Sequence, residues 1–305
     1  TIISSEMTPP HFAETPTPTF TPLPILTPED AQALVFEGKI AVLTLEQQQP
    51  PFNPQGQLQI VDFATQDVLL LSEDVSSYEW APNGQRLAYS AFSRISGTYE
   101  LYTVNSDGTE LIKLDPPLVG KVDRLSPTWS PDSKQIAFTQ PEAGEHLIHI
   151  MNADGSNVQF LTKGMWPAWS PDGSMIAFLK SRNGRAAGDI FIIDLATRGL
   201  RQLTEDIDAG QPVWSPDGRF IAFYGNQQTN NQSGLFVAQV DGTTAIRIVP
   251  EIDWFPVWAP GWSPDSSQVI FAQDGTLYVV QVNSLNILPL ELPLGPFYLS
   301  GTLSP

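Results

Sequence analysis

The chain has 305 residues, 33 acidic and 15 basic, for a formal net charge of −18. Such a field repels phosphate backbones and sets nucleic acid aside as a partner, while the absence of Cys excludes a disulfide framework, a thiol nucleophile and any Cys-based metal centre. With 41% hydrophobic and 16% charged residues the chain reads as ordered and globular, and its 28 Pro and 22 Gly point to many turns and a β-rich fold.

Residues 8–28 read TPPHFAETPTPTFTPLPILTP, with seven Pro and six Thr. Proline fixes φ and removes a backbone donor, so this stretch builds neither helix nor central strand. Residues 1–32 are therefore expected to form a polyproline-II-like tether, extending about 3 Å per residue, that holds the body off a membrane or wall. Its threonines are candidate O-glycosylation sites. Thr1 opens directly into polar sequence, so any signal peptide is expected to have been removed. No apolar run in the chain approaches the ~18–20 residues of a membrane span.

The body, residues 33–305, opens with FEGKIAVLTL from Phe36 and continues with QLQIVDFATQDVLLL. A pattern then recurs: YEWAPNGQRLAYS, TWSPDSKQIAFTQ, AWSPDGSMIAFLK, VWSPDGRFIAFYG and GWSPDSSQVIFAQ, anchored by Trp80, Trp129, Trp169, Trp214 and Trp262 at spacings of 49, 40, 45 and 48. Each copy is followed by an alternating segment such as ELYTVN or DIFIID and, after a turn, a short apolar piece. The Ile-Ala-Phe triplets and the two-fold alternation are strand signals. Asp-Gly, Asn-Gly and Asp-Ser pairs supply the turns between them. Each repeat thus predicts four antiparallel strands, A to D, which is the content of a β-propeller blade.

Six blades are expected. SGTLSP at residues 300–305 matches the start of a repeat, with Leu303 in the tryptophan position, and the segment from Phe36 matches its continuation. The last strand and the first three would make one composite blade, closing the ring and removing open edges. Residues 299–304 are then expected to be innermost in the blade holding residues 38–72.

The Trp-Ser-Pro-Asp-Gly and Ile-Ala-Phe pattern resembles the WD40-like (PD40) repeat of TolB-type six-bladed propellers over about residues 33–305. The Gly-His and Trp-Asp signature of eukaryotic WD40 repeats is absent. The resemblance implies an extracytoplasmic protein, in the periplasm, at the cell surface or secreted, that binds proteins or the envelope; similar propellers also serve as non-catalytic domains of prolyl-oligopeptidase-like enzymes. The α/β domain preceding the propeller of TolB proteins has no counterpart in residues 1–32, so no Tol–Pal role is implied.

The repeated residues read as structural: the tryptophans fill the space between blades, and Asp132, Asp172, Asp217 and Asp265 accept hydrogen bonds inside the A–B turns. Recognition belongs where the repeats differ. A–B and C–D turns share one face and are short; the B–C and D–A connections share the other and are irregular. Trp166, Trp254 and Trp258, the tryptophans outside the repeat, fall in D–A segments with Phe255, and Arg124, Arg182 and Arg185 lie on the same face. These are the candidate partner-binding residues; the alternative for the aromatics is a plug over the channel mouth.

His146 and His149 are three apart on a strand, point to opposite faces and do not chelate one ion together. Asp206 and Asp208, with Glu205 and the nearby Asp253, form the candidate metal site, for Ca²⁺; otherwise no cofactor is expected. No Gly-x-Ser-x-Gly elbow and no phosphate-binding glycine loop occurs. The reading is a non-catalytic, tethered propeller that binds a protein or envelope component through its B–C/D–A face. The alternatives are a propeller hydrolase or lactonase with a metal at the channel mouth, and a surface-assembly subunit.

Overall fold

The computed structural model of the chain describes residues 39–45, 56–62, 65, 67–114, 125–182, 188–242, 244–252, 259–273 and 276–289. The described residues all fall within the unit spanning residues 37–305; the expected tether lies outside the described residues. Those described contain only strands, turns and bends.

Every strand pair is antiparallel, and the described strands fall into five sheets. Sheet 1 holds β1 (Lys39–Leu45), β2 (Gly56–Asp62), β3 (Val68–Trp80), β4 (Arg86–Ser93), β5 (Thr98–Asn105) and β6 (Ile112–Leu114). Sheet 2 holds β7 (Leu125–Trp129), β8 (Gln135–Glu142), β9 (Glu145–Asn152) and β10 (Gln159–Lys163); sheet 3 holds β11 (Met165–Trp169), β12 (Met175–Ser181), β13 (Gly188–Asp194) and β14 (Leu200–Gln202). Sheet 4 holds β15 (Ile207–Ala209), β16 (Val213–Trp214), β17 (Phe220–Gln227), β18 (Gln232–Gln239) and β19 (Ala245–Pro250), with β15 and β16 both paired to β17 as two halves of one A strand broken around Pro212. Sheet 5 holds β20 (Gly261–Trp262), β21 (Gln268–Gln273), β22 (Thr276–Gln281) and β23 (Ile287–Pro289).

The four-stranded antiparallel blade is as expected. Among the described residues, however, there are five sheets where six separate blades are expected. The reason is β3. Its first half pairs with β2 as a D strand, as far as Val75, and its second half pairs with β4 as an A strand, from Val75 to Trp80. Hydrogen bonding runs unbroken through the D–A junction, where Asp74 sits at φ 55 and register shifts on both sides absorb the bend. Sheet 1 therefore carries the composite repeat and the Trp80 repeat together. The expected closure by residues 299–304 lies outside the described residues.

The core follows from the two-residue period of the Ile-Ala-Phe triplets. Ile136 and Phe138 pack with Leu101 and Leu114 of sheet 1, whereas Ala137 between them packs with Trp169 and Phe178 of sheet 3. The same division recurs for Ile176, Phe178 and Ala177, and for Ile221, Phe223 and Ala222. The large residues thus face the preceding sheet, and the small alanine leaves room for the tryptophan of the next. Trp169 shares a cluster with Ala137, and Trp214 with Ala177. Successive A strands also contact one another, β3 with β7, β7 with β11 and β11 with β16, which places them innermost.

The A–B turns show why the motif is Trp-Ser-Pro-Asp. Ser130 Oγ donates to Asp132 Oδ1 at 2.6 Å and accepts the Gln135 N–H at 2.9 Å, closing the turn from inside. Ser170, Ser215 and Ser263 repeat both bonds with Asp172, Asp217 and Asp265. In the Trp80 repeat the serine is Ala81 and the acid is Asn83, so hydroxyl donor and anionic acceptor are lost together. Asn83 still accepts the Gln85 N–H at 3.0 Å. In the intact turns the serine hydroxyl holds Asp132, Asp172 and Asp265 below the usual carboxylate range.

Candidate functional site

The B–C and D–A connections converge on one face at the junction of sheets 3 and 4, and ion pairs tie them together. Arg182, just after β12, directs Nη2 to Asp189 Oδ2 at 2.6 Å and Nη1 to Asp208 Oδ1 at 3.8 Å. Asp189 opens strand C of sheet 3 and is buried; Asp208 lies on β15, at the start of sheet 4. Thr204 Oγ1 lies 3.5 Å from Asp189 Oδ1 and accepts the Ile190 N–H at 2.9 Å. From the B–C hairpin of sheet 4, Gln228 Nε2 donates to Asp208 Oδ1 and its N–H to the Asp206 carbonyl, both at 2.9 Å. The hydrogen bond to Asp189, together with the charges of Asp208 and Asp206, raises the Arg182 pKa further above its ordinary value.

Two expectations made separately thus meet in one cluster. Arg182, expected to contact a partner, spans the acids Asp189 and Asp208, and so binds two sheets. Asp206 and Asp208, expected as metal ligands, both act on that guanidinium through their charge, and Asp208 pairs with it. Among the described residues no group of three His, Asp or Glu side chains is arranged to hold a metal. Asp189, Thr204 and Gln228 complete the network and had no distinguishing signal in the sequence, since each lies in an ordinary strand or loop context.

Removal of Arg182 leaves Asp189 buried without its cation. Arg182→Ala is expected to lower stability by about 1–2 kcal/mol, read as a drop in the urea midpoint. Asp189→Asn alongside it should recover part of the loss. Equal midpoints for wild type and Arg182→Ala would show that the pair is too solvated to matter.

Trp166 sits on β11 at φ 55, in a bulge between Met165 and Ala168. It is half-buried against the core shared by sheets 3 and 4, and its N–H donates to Thr139 Oγ1 of sheet 2 at 3.1 Å. Its ring is partly covered, and the hydrogen bond to Thr139 comes from the backbone. Trp254, Phe255, Trp258, Arg124, Arg185 and Asp253 lie outside the described residues. Elsewhere on this face Arg94 pairs with Asp74 at 3.0 Å, joining the B–C loop of the Trp80 repeat to the bend of β3. Beside it, Ile95 is 96% exposed at the loop tip, the most exposed of the large hydrophobic side chains among the described residues. His146 and His149, both on β9, are pushed toward their neutral forms by burial.

A family model described as the TolB beta propeller domain (PD40) matches residues 30–186 and 96–287. A stretch of 96 residues is 32% identical to the Tol-Pal system protein TolB of Hydrogenovibrio crunogenus, covering 31% of this chain and 21% of that protein. A stretch of 115 residues is 27% identical to a dipeptidyl-peptidase 5 of Porphyromonas endodontalis, covering 36% of this chain and 16% of that one. The aligned stretches thus span about a fifth of the length of these curated relatives or less. Among solved structures, a putative TolB from Agrobacterium tumefaciens superposes with a TM-score of 0.59 at 21% identity, covering 76% of this chain and 87% of that one. A puromycin-hydrolysing peptidase of Mycobacterium tuberculosis does so with a TM-score of 0.60 at 12% identity, covering 89% and 49%. At these identities the superpositions speak for the fold alone.

Proposed function

We propose a non-catalytic binding role for this chain, which belongs to the TolB β-propeller domain family: it works outside the cytoplasm and recognises a protein or envelope component through its B–C/D–A face. The observation that carries this reading is the difference between the two faces. On one, four of the five described A–B turns repeat a single design, each satisfied by its own serine and aspartate. On the other, the connections differ in length and sequence, are braced by Arg182–Asp189–Asp208 and Arg94–Asp74, and expose Ile95 at a tip. Variable loops held on a rigid scaffold are how folds of this kind present a recognition surface. The Pro/Thr segment at residues 8–28 belongs to the same proposal as the tether that sets the propeller's distance from its anchor.

The test is cross-linking capture from an envelope fraction of the source cells, comparing wild type with Ile95→Asp and with Trp254→Ala plus Trp258→Ala. All variants are first checked for native strand content by circular dichroism. Loss of the same captured partner in either folded variant is the expected result. Undiminished capture by both would remove the assignment of this face.

A further inference from the structure

On the turn face, two D strands pack against the C–D turn of the next repeat. Leu69 lies so close to Gly108 that a Cβ there would meet its Cδ2 at 2.5 Å, and Leu114 approaches Gly155 at 3.5 Å. Both glycines have positive φ, 83° and 85°, in tight Asp-Gly turns that bring backbone against the neighbouring leucine. The junction of sheets 2 and 3 is built differently. The turn of sheet 3 is ATRG after Asp194 and Leu195, with the Arg198 N–H bonded to the Asp194 carbonyl at 2.9 Å and Arg198 itself at φ 60. The longer turn lies beside an open groove of about 140 Å³, lined by Ile150, Leu161 and Leu195 and by the polar Gln135, Asn157 and Gln159. Phe160, 53% exposed, and Arg198, also exposed, form its rim.

The volume is close to the roughly 150 Å³ that accommodates a benzene ring, so the groove has room for one aliphatic or aromatic side chain. Arg198 is the only charged residue lining the groove and pairs with no carboxylate among the described residues. Asp194, in the same turn, is engaged locally, its Oδ1 accepting the Thr197 N–H at 2.7 Å and the Thr197 hydroxyl at 2.8 Å. An unpaired guanidinium beside a groove with one apolar wall, formed by Ile150, Leu161 and Leu195, complements a carboxylate carried next to an apolar side chain. The net charge of −18 disfavours a longer acidic run, so one carboxylate is the matching number.

We propose that this groove between sheets 2 and 3 is a second recognition site, which takes a partner polypeptide segment whose apolar side chain enters it and whose adjacent carboxylate reaches Arg198. It lies on the turn face and stands independently of the role given to the loop face. The test titrates the full chain with N-acetyl-Leu-Glu-amide and N-acetyl-Leu-Gln-amide by ligand-observed NMR. The glutamate peptide is expected to bind about fivefold more tightly. In Arg198→Ala, an exposed change that leaves the thermal midpoint unaltered, the two peptides should become equal, and N-acetyl-Gly-Glu-amide should bind neither protein. No saturable binding up to ~10 mM, equal affinities in wild type, or a preference retained by Arg198→Ala would each overturn the proposal.

Discussion

Trp214→Ala is expected to destabilise the propeller by about 4 kcal/mol, among the largest single-residue losses available in the chain. The ring is buried in the core shared by sheets 3 and 4, against Ala177 of one and Ile221 of the other. Its indole N–H also crosses between sheets, donating to the Ala168 carbonyl on the free inner edge of β11 at 3.0 Å. Truncation therefore opens a cavity and strands a backbone acceptor. Two milder variants separate these effects. Trp214→Phe keeps most of the apolar surface and loses the bond, at about 1 kcal/mol beyond the packing change. Trp169→Phe should lack that extra loss, because the Trp169 indole nitrogen has no partner among the described residues. Urea unfolding of the three variants decides the matter. Equal losses for Trp214→Phe and Trp169→Phe would mean that the inter-sheet bond contributes nothing.

The sequence shows these tryptophans plainly, because a repeat displays the same structural need several times over. The spacing of Trp129, Trp169 and Trp214, and the alternation in each Ile-Ala-Phe triplet, were enough to give strand order, blade content and the partition of faces. What the repeat does not display depends on single positions. The serine of the motif looks like filler beside its proline and aspartate, yet it is the relay that closes the turn; only the paired loss at Ala81 and Asn83 hinted that the two residues act as a unit. The continuous hydrogen bonding through β3 depends on backbone angles at Asp74, and no residue there announces them. Arg182 and Asp208 belong to different repeats, so their pairing depends on how neighbouring sheets meet. Neither residue's own repeat signals that the two face one another.

Glu79 is the second position where one residue departs from the repeat with a large consequence. It directly precedes the motif tryptophan on an innermost strand, where the other repeats place Thr128, Ala168, Val213 and Gly261. Its carboxyl accepts the Trp129 N–H of the next A strand at 2.8 Å. Burial raises its pKa from 4.5 to about 7, against the opposing hydrogen bonds from the Thr128 side chain and the Trp129 backbone. The sign of the linkage follows. Between pH 4.5 and 7 the folded chain keeps a proton that the unfolded chain has released, so stability falls as pH rises across this window and levels off above it. The full effect would be about 3 kcal/mol; Glu79 is only half-buried, and its remaining water contact reduces this to about 2 kcal/mol. The turn aspartates act at lower pH and with opposite sign, adding stability as they ionise. The wild-type curve should therefore rise through the acid range and decline toward neutrality. Glu79→Gln keeps an oxygen to accept the Trp129 N–H and has no proton to lose, so its decline between pH 4.5 and 7 should vanish and its urea midpoint at pH 8 should exceed that of wild type. Parallel pH profiles for the two proteins would show that Glu79 is ionised in the folded state and that the junction of sheets 1 and 2 holds a carboxylate.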